Sequence, residues 1–431
     1  MSQALASQDR SQIHERDIRG LKYFDNLLPV LERLHDVGCT RDRAGQRKLH
    51  YDHYCLLVLL FLFNPIVSSL RSLQKASQLK KVQRKLGCPR TSLGSLSESV
   101  AVFEPERLRE IIGELGQQLE AVGHDRRLQD VAPLTLVDAT LVEALPRLAE
   151  ASLLKTETGR GLVKWRLHTH FEVERYVPTR IDVTRASGGD DDERMVLERT
   201  IEADRLYVLD RGYAKFALFN RIVVAQSSYV CRVRDNSAFE VLEERPLSGA
   251  ALAERVLSDQ VVRLGTASAP RDQPDHRVRL VTIAIKPHRT HAHSSRCRGH
   301  GSTGPNSDGF LRLATNLLEV PAEIIALIYF YRWTIEIFFR FFKQLLGCRH
   351  LLSHCQNGIE IQAYCAIIAC MLISLWTGKK PTLRTYEMIC FYFTGLADEE
   401  ELLEHIASLK KHVSSNDGGL SHAAAASNAA H

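Results

Sequence analysis

Up to about residue 130 the chain repeats apolar positions at helical spacing, over Asp25 to His35, Tyr54 to Leu62, Leu70 to Leu86 and Pro105 to Val122. Asn64-Pro65, Gly87-Cys88-Pro89 and Gly94 supply the turns between them. From Leu134 the pattern changes to strands: Leu134 to Asp138, Val163 to Val173 and Tyr176 to Thr184, the last two joined by the polar link Glu174-Arg175. A helix is expected over Asp191 to Ala203, with acids in its first turn and apolar Met195, Val196, Leu197 and Ile201. A buried strand, Leu206 to Leu209, then runs into Asp210.

Three antiparallel strands, a helix, a parallel strand and a later helix bearing an acid follow the order of a ribonuclease H-like core. In that arrangement the first and fourth strands are neighbours, so Asp138 and Asp210 would meet despite 71 intervening residues. Between Asp210 and Glu336 lie 125 residues, more than a connection needs, and most read as strand: Tyr229 to Val233, Gln260 to Leu264, Arg277 to Ile285 and Phe310 to Thr315. A β-rich insertion is therefore expected. Pro321 followed by Glu323 marks the start of a long helix. The predicted organisation is a helical region over 1–130 whose basic residues suit an anionic partner such as DNA, the first part of an α/β core over 131–235, and the insertion over 236–318. Core helices over 319–378 and a helical segment with a frayed tail over 379–431 complete it.

The long helix carries Tyr329, Arg332, Glu336 and Lys343 at the spacing Y-x2-R-x3-E-x6-K. At about 100° per residue these four fall within an arc of roughly 60°, one carboxylate among phosphate-binding groups. The other side bears Ile324, Leu327, Ile328, Tyr331, Ile335, Phe338, Phe342 and Leu345, so one face is expected in the core and the other toward a charged ligand. Asp138 and Asp210 each follow an apolar run, where a strand emerges toward solvent and sites form on sheets. Taken singly, a strand-terminal aspartate is a cap or turn former, and Arg332 with Glu336 is surface charge pairing. Three carboxylates converging without basic partners repel one another, and the usual remedy is a pair of divalent cations, magnesium above all. Two such ions about 3.5–4 Å apart activate a water or a 3′-hydroxyl and stabilise the leaving oxygen at phosphorus.

Composition narrows the class. At 45% hydrophobic and 25% charged, the 431 residues read as a soluble protein of two or three domains. Cys55 to Phe63 is too short for a membrane span, Ala363 to Trp376 reads as a buried core helix, and no signal peptide is evident. Ten scattered cysteines fit free thiols in a reducing compartment, hence the cytoplasm. Net charge is only +5, yet between Arg41 and Arg90 eleven Lys and Arg stand against two acids. Arg71, Lys75, Lys80, Lys81, Arg84 and Lys85 interleave with leucines there, as on a helix that packs on one side and meets phosphate on the other. A solvated helical surface is the plainer reading of that charge taken alone.

The tetrad Tyr329, Arg332, Glu336, Lys343 and the stretch Asp210-Arg211-Gly212-Tyr213 resemble the YREK and DRGY signatures of DDE transposases of bacterial insertion sequences, specifically the insertion sequence four family. Asp138-Ala139-Thr140 fits the first acid, and the match covers roughly residues 130 to 375. The resemblance implies a ribonuclease H-like catalytic domain interrupted by a β-rich insertion and cut-and-paste transposition with two Mg2+ ions, or Mn2+ in their place. It also implies a homodimer acting on double-stranded DNA, at the terminal inverted repeats and at the target, close to the bacterial nucleoid. Carried over, Asp138, Asp210 and Glu336 become the metal-binding catalytic triad, and Tyr329, Arg332 and Lys343 contacts to the transferred end. Arg211 would face DNA, and Lys164, Arg232 and Arg234 on predicted strands would touch the backbone. Some relatives stack a flipped base on an aromatic of the insertion. Here Trp333 is the sole tryptophan between Asp210 and Glu336, so that role would fall to Tyr229 or Phe239, or be absent, while Trp165 and Trp333 read as packing residues.

Two alternatives share these residues: a metal-dependent nuclease without strand transfer, and an inactive transposase-derived DNA-binding protein. Cys348, His350, His354 and Cys355 do not match the paired spacing of a zinc site, and His288, His291, His293 and His300 lie in a polar loop that reads as solvated.

Overall fold

The computed structural model describes residues 28–37, 48–121, 125–144, 153–154, 162–185, 189–265, 273–285, 309–345, 351–353 and 355–411. The chain divides into two compact units, residues 1–120 with 341–431, and residues 121–340. The polar loop around His291, the residues Cys348, His350 and His354, and the C-terminal tail lie outside the described residues.

The first unit opens with α1 (Leu28–Glu32), α2 (Tyr51–Phe63), α3 (Leu70–Ala76), α4 (Lys80–Leu86), α5 (Leu93–Val102) and α6 (Glu106–Gln118). Helix α2 is apolar all round and buries every residue except His53, as a central helix must. Helix α6 buries only the stripe Leu108, Ile111, Ile112, Leu115. The single helix expected over 70–86 is two. Ser69 and Ser72 cap α3 reciprocally, and Ser77, fully buried, ends it: its hydroxyl donates to the Gln74 carbonyl at 2.6 Å and accepts from the Thr91 amide at 3.2 Å. A serine held this way competes with the helical ladder, which the leucine spacing alone does not reveal.

The second unit is built on a ten-stranded mixed sheet. Its strands are β1 (Leu134–Ala144), β2 (Leu153–Leu154), β3 (Leu162–Glu172), β4 (Val177–Arg185), β5 (Leu206–Leu209), β6 (Ser228–Val233), β7 (Phe239–Glu244), β8 (Val256–Leu264), β9 (Val278–Ala284) and β10 (Phe310–Thr315). Helices α7 (Glu193–Arg199), α8 (Phe216–Val224), α9 (Gly249–Ala253) and α10 (Ala322–Phe330) lie between or after them, and α11 (Trp333–Leu345) runs on into the residues of the first unit. The strand order is β2-β3-β1-β5-β6-β10-β9-β8-β7, with β4 on β3. β3 is antiparallel to β1, and β5 is parallel to both β1 and β6. β5 is buried along its whole length, Leu206, Tyr207, Val208 and Leu209, as expected of a parallel strand covered on both faces.

Several boundaries differ from the sequence expectation. β1 does not end at Asp138 but runs on to Ala144, because β3 pairs with it through Ala144↔Val163. The helix expected over 191–203 is confined to Glu193–Arg199. Tyr229 to Val233, expected among the strands that separate Asp210 from Glu336, is the strand next to β5, and the later strands continue the same sheet from it. Strand β7 and helices α8 and α9 have no counterpart in the sequence expectation. β7 alternates poorly and lies almost wholly exposed at the sheet edge, held by cross-strand pairs such as Arg263 with Glu240 at 2.7 Å.

The first unit is completed by α12 (Gln356–Thr377), α13 (Leu383–Thr394) and α14 (Glu399–Lys411). Helix α12 is long and apolar enough to cross a bilayer, but 89% of its apolar window is buried, as for a core helix. It lies against α2, α5 and α6. Asn357 Nδ2 donates to the Phe103 carbonyl at 2.7 Å and Arg109 Nε to the Tyr364 hydroxyl at 2.6 Å. Gly358 is required at this crossing, since an added Cβ would collide with Ser353 and come within 2.9 Å of Val100 Cγ1.

Candidate active site

The parallel ladder between β1 and β5 ends at Val137↔Leu209, so the next residue on each strand is an aspartate, Asp138 beside Asp210. Asp138 stays in the strand, in register with Thr169 of β3, while Asp210 opens the 3₁₀ turn Arg211–Tyr213. Tyr329, at the end of α10, donates its hydroxyl to Asp210 Oδ1 at 3.2 Å. Arg232 at the end of β6 brings Nη1 to 4.0 Å from the same oxygen. Arg332 donates from Nη2 to Glu336 Oε1 at 2.6 Å.

Electrostatics tie the third acid to the other two. Burial pushes the Asp138 carboxyl up to about 6; the Ala139 amide, which donates to its Oδ1 at 2.8 Å, and the charge of Arg332 pull the other way, while Asp210 and Glu193 add to the rise. Arg332 thus acts on Asp138 and Asp210 and is hydrogen-bonded to Glu336. The three carboxylates do have basic partners, Arg332 and Arg232, contrary to the expectation of a bare acidic cluster. Arg332 pairs locally with Glu336, four residues on, whereas its charge on Asp138 and the approach of Arg232 to Asp210 come from elements that only the fold brings together.

The tetrad is not on one helix. Helix α10 ends at Phe330 and α11 begins at Trp333, with Arg332 in the turn between them. The junction is tightened by three-residue bonds: the Arg332 amide to the Tyr329 carbonyl at 3.0 Å, and the Thr334 amide to the Tyr331 carbonyl at 2.8 Å. Tyr329 is consequently buried, at 9% exposure, rather than lying on an open face, and its ring lies 6.0 Å from the Arg332 guanidinium carbon. Leu327, Ile328, Ile335, Phe338, Phe342 and Leu345 are buried as the apolar stripe predicts, and Ile324 and Tyr331 are half-buried. Lys343 is half-buried on the part of α11 that belongs to the first unit.

The remaining predicted contacts scatter. Arg211 is half-buried in the turn after Asp210, Arg234 is exposed just past β6, and Lys164 sits on β3 in register with Glu143. Tyr229 is fully buried and stacks on Phe219 at 4.2 Å, so it is not available to a flipped base; Phe239 has Arg312 over its ring at 5.3 Å. Trp165 is buried as a packing residue, whereas Trp333 is 49% exposed. Sequence reasoning misses Glu193. The local pattern marks it only as an acid in a helical first turn, yet burial raises its pKa, its charge acts on Asp138, and Arg166 Nε lies 3.5 Å from its Oε1.

A family described as Transposase DDE domain matches residues 130–372. A putative transposase (y4zB) of Sinorhizobium fredii (strain NBRC 101917 / NGR234) is 27% identical over 280 residues, 64% of this chain and 67% of that protein. A probable transposase for insertion sequence element IS5377 of Geobacillus stearothermophilus is 28% identical over 278 residues, 63% of this chain and 65% of that protein. Among solved structures, the cryo-EM structure of a piggyBac transposase synaptic complex with hairpin DNA aligns over 91% of this chain and 86% of that one, with a TM-score of 0.36 and 11% identity. The family match takes in more than half of the chain, including Asp138, Asp210 and Glu336, and the chain belongs to the transposase DDE domain family.

Proposed function

We propose that the protein is a DNA transposase, with a ribonuclease H-like core, that cuts the ends of its own element and joins them to a target by cut-and-paste transposition. The observation that carries this reading is the register of β1 on β5, which leaves Asp138 and Asp210 side by side while Arg332 links Glu336 to them. Family membership supports the reaction class, and the YREK spacing supports the insertion sequence four family.

Asp138, Asp210 and Glu336 are oxygen donors of the kind Mg2+ or Mn2+ accepts, and a carboxyl held up to about 6 by burial is one that a cation would keep ionised. Two such ions, when bound, supply activation of the attacking oxygen and stabilisation of the leaving one. The chain's own residues orient that site. Tyr329 holds Asp210 Oδ1, and Arg332 holds Glu336 through one of its five N–H donors, which leaves others for a phosphate of the transferred end. Lys343, Arg211, Arg232, Arg234 and Lys164 supply sequence-independent backbone contacts, which position the duplex. Water would attack the phosphodiester at the element boundary and release a 3′-hydroxyl; that hydroxyl would then attack a target phosphodiester. Double-stranded terminal repeats and target DNA are the partners, and a homodimer pairs the two ends.

The test is magnesium-dependent cleavage of the element's own genomic end, with a target plasmid present, by the wild type and by Glu336→Gln. Joined products from the wild type alone are expected, with end binding retained in the variant. A variant that still cuts would remove Glu336 from the site. Cutting without joining would favour the nuclease, and binding without cutting the inactive DNA-binding protein.

A further inference from the structure

Away from the acids, three histidines and an aspartate gather at the start of α2 in the first unit. His35 Nδ1 lies 2.9 Å from Asp52 Oδ2, and His53 Nε2 lies 3.8 Å from the same oxygen. One ligand atom from each of His35, Asp52 and His53 falls within 4.8 Å of the others. His50 stacks on the His35 ring at 3.8 Å between centroids and an interplanar angle of 10°, and its Nδ1 lies 3.0 Å from the His35 carbonyl oxygen. Asp52 is only 6% exposed, and its second oxygen, Oδ1, is buried with no hydrogen-bond partner.

We infer that His35, Asp52 and His53 form a binding site for a divalent transition ion of the zinc class. Metal–ligand bonds of about 2.0–2.1 Å in a tetrahedron set neighbouring ligand atoms about 3.3 Å apart, and the observed 2.9 and 3.8 Å bracket that edge. Two imidazoles and a carboxylate suit zinc better than magnesium, which prefers oxygen alone. His50 stacks on the His35 ring and so fixes its orientation, and the half-exposed His35 provides the way in. A buried carboxylate oxygen without a donor is a costly group in an apolar core, and a cation beside it supplies the missing charge. The positive end of α2 opposes a cation there, and the Asp52 carboxylate in its first turn offsets it. The plain alternative is a hydrogen-bonded His–Asp cluster that needs no ion.

The test uses the full-length chain, stripped with a chelator and titrated with zinc and with cobalt. One ion per chain is expected, with a tetrahedral cobalt absorption spectrum and a higher Tm on zinc loading. His53→Gln, at a half-buried position, and Asp52→Asn should each weaken zinc binding at least tenfold, while Glu336→Gln, which alters only the proposed magnesium site, should leave it unchanged. Circular dichroism of the stripped variants separates lost binding from lost folding. Absence of stoichiometric zinc in the wild type, a Tm indifferent to zinc and chelator, or a folded His53→Gln that binds as tightly as the wild type would each overturn the site.

Discussion

At the scale of single residues, the site is organised by hydrogen bonds from neutral or basic groups to acids. The Tyr329 hydroxyl is the clearest case: the residue is nine-tenths buried and its hydroxyl donates to Asp210. Tyr329→Phe keeps the ring and removes one bond, so it should cost only about 0.5–1.5 kcal/mol of stability. If Tyr329 orients Asp210, cleavage should fall by a clearly larger factor than the stability loss explains. Urea denaturation beside single-turnover cleavage reads both; unchanged cleavage would reduce Tyr329 to a packing residue. The spacing Y-x2-R-x3-E-x6-K and the pairing of Arg332 with Glu336 were legible in the chain, but the partner of Tyr329 was not. Arg332 on Glu336 is a local pair, whereas Tyr329 on Asp210 spans 119 positions.

Among elements, β3 carries a second consequence of burial. His168 and His170, two residues apart on it, are 2% and 3% exposed. Each is pushed down to about 4, first of all by burial. His168 Nε2 and His170 Nε2 lie 2.8 and 3.1 Å from the hydroxyls of Thr184 and Thr200. Both rings are therefore neutral in the fold, while in the unfolded chain they take up a proton near the ordinary histidine value of about 6.5. The unfolded state binds more protons between about pH 6.5 and pH 4, so stability should fall as pH falls through that window and be unaffected by these groups above it. The full shift corresponds to about 3 kcal/mol for each ring. Urea midpoints at pH 7.5, 6 and 5, compared with those of His168→Gln, test this; a wild-type midpoint flat over that range would contradict it. Periodicity identified β3 as a strand and missed the meaning of its histidines, because burial on both faces depends on which helices cover the sheet.

For the molecule as a whole, net charge says less than its distribution. Lys80, Lys81 and Arg84 are exposed on α4, within the stretch where basic residues outnumber acids eleven to two. If that surface meets DNA phosphate, replacing all three with Gln should weaken binding of specific and random duplexes alike. It should also reduce the slope of log K against log salt by up to about 0.9 for each phosphate no longer neutralised. Binding isotherms across a salt series measure this, and an unchanged slope would leave α4 a solvated surface. By itself the sequence determined the apolar runs that lead into Asp138 and Asp210, the buried character of α12 and the spacing of the tetrad. Each of these is a short-range pattern of side chains along a backbone of known period. Only the tertiary structure decided that β1 and β5 pair in the register that makes the two aspartates neighbours, that the tetrad helix breaks at Arg332, that Tyr229 is sealed in the core and that His35 meets Asp52. Those outcomes depend on strand register, on burial by distant elements and on charges brought together by the fold, none of which a local period encodes.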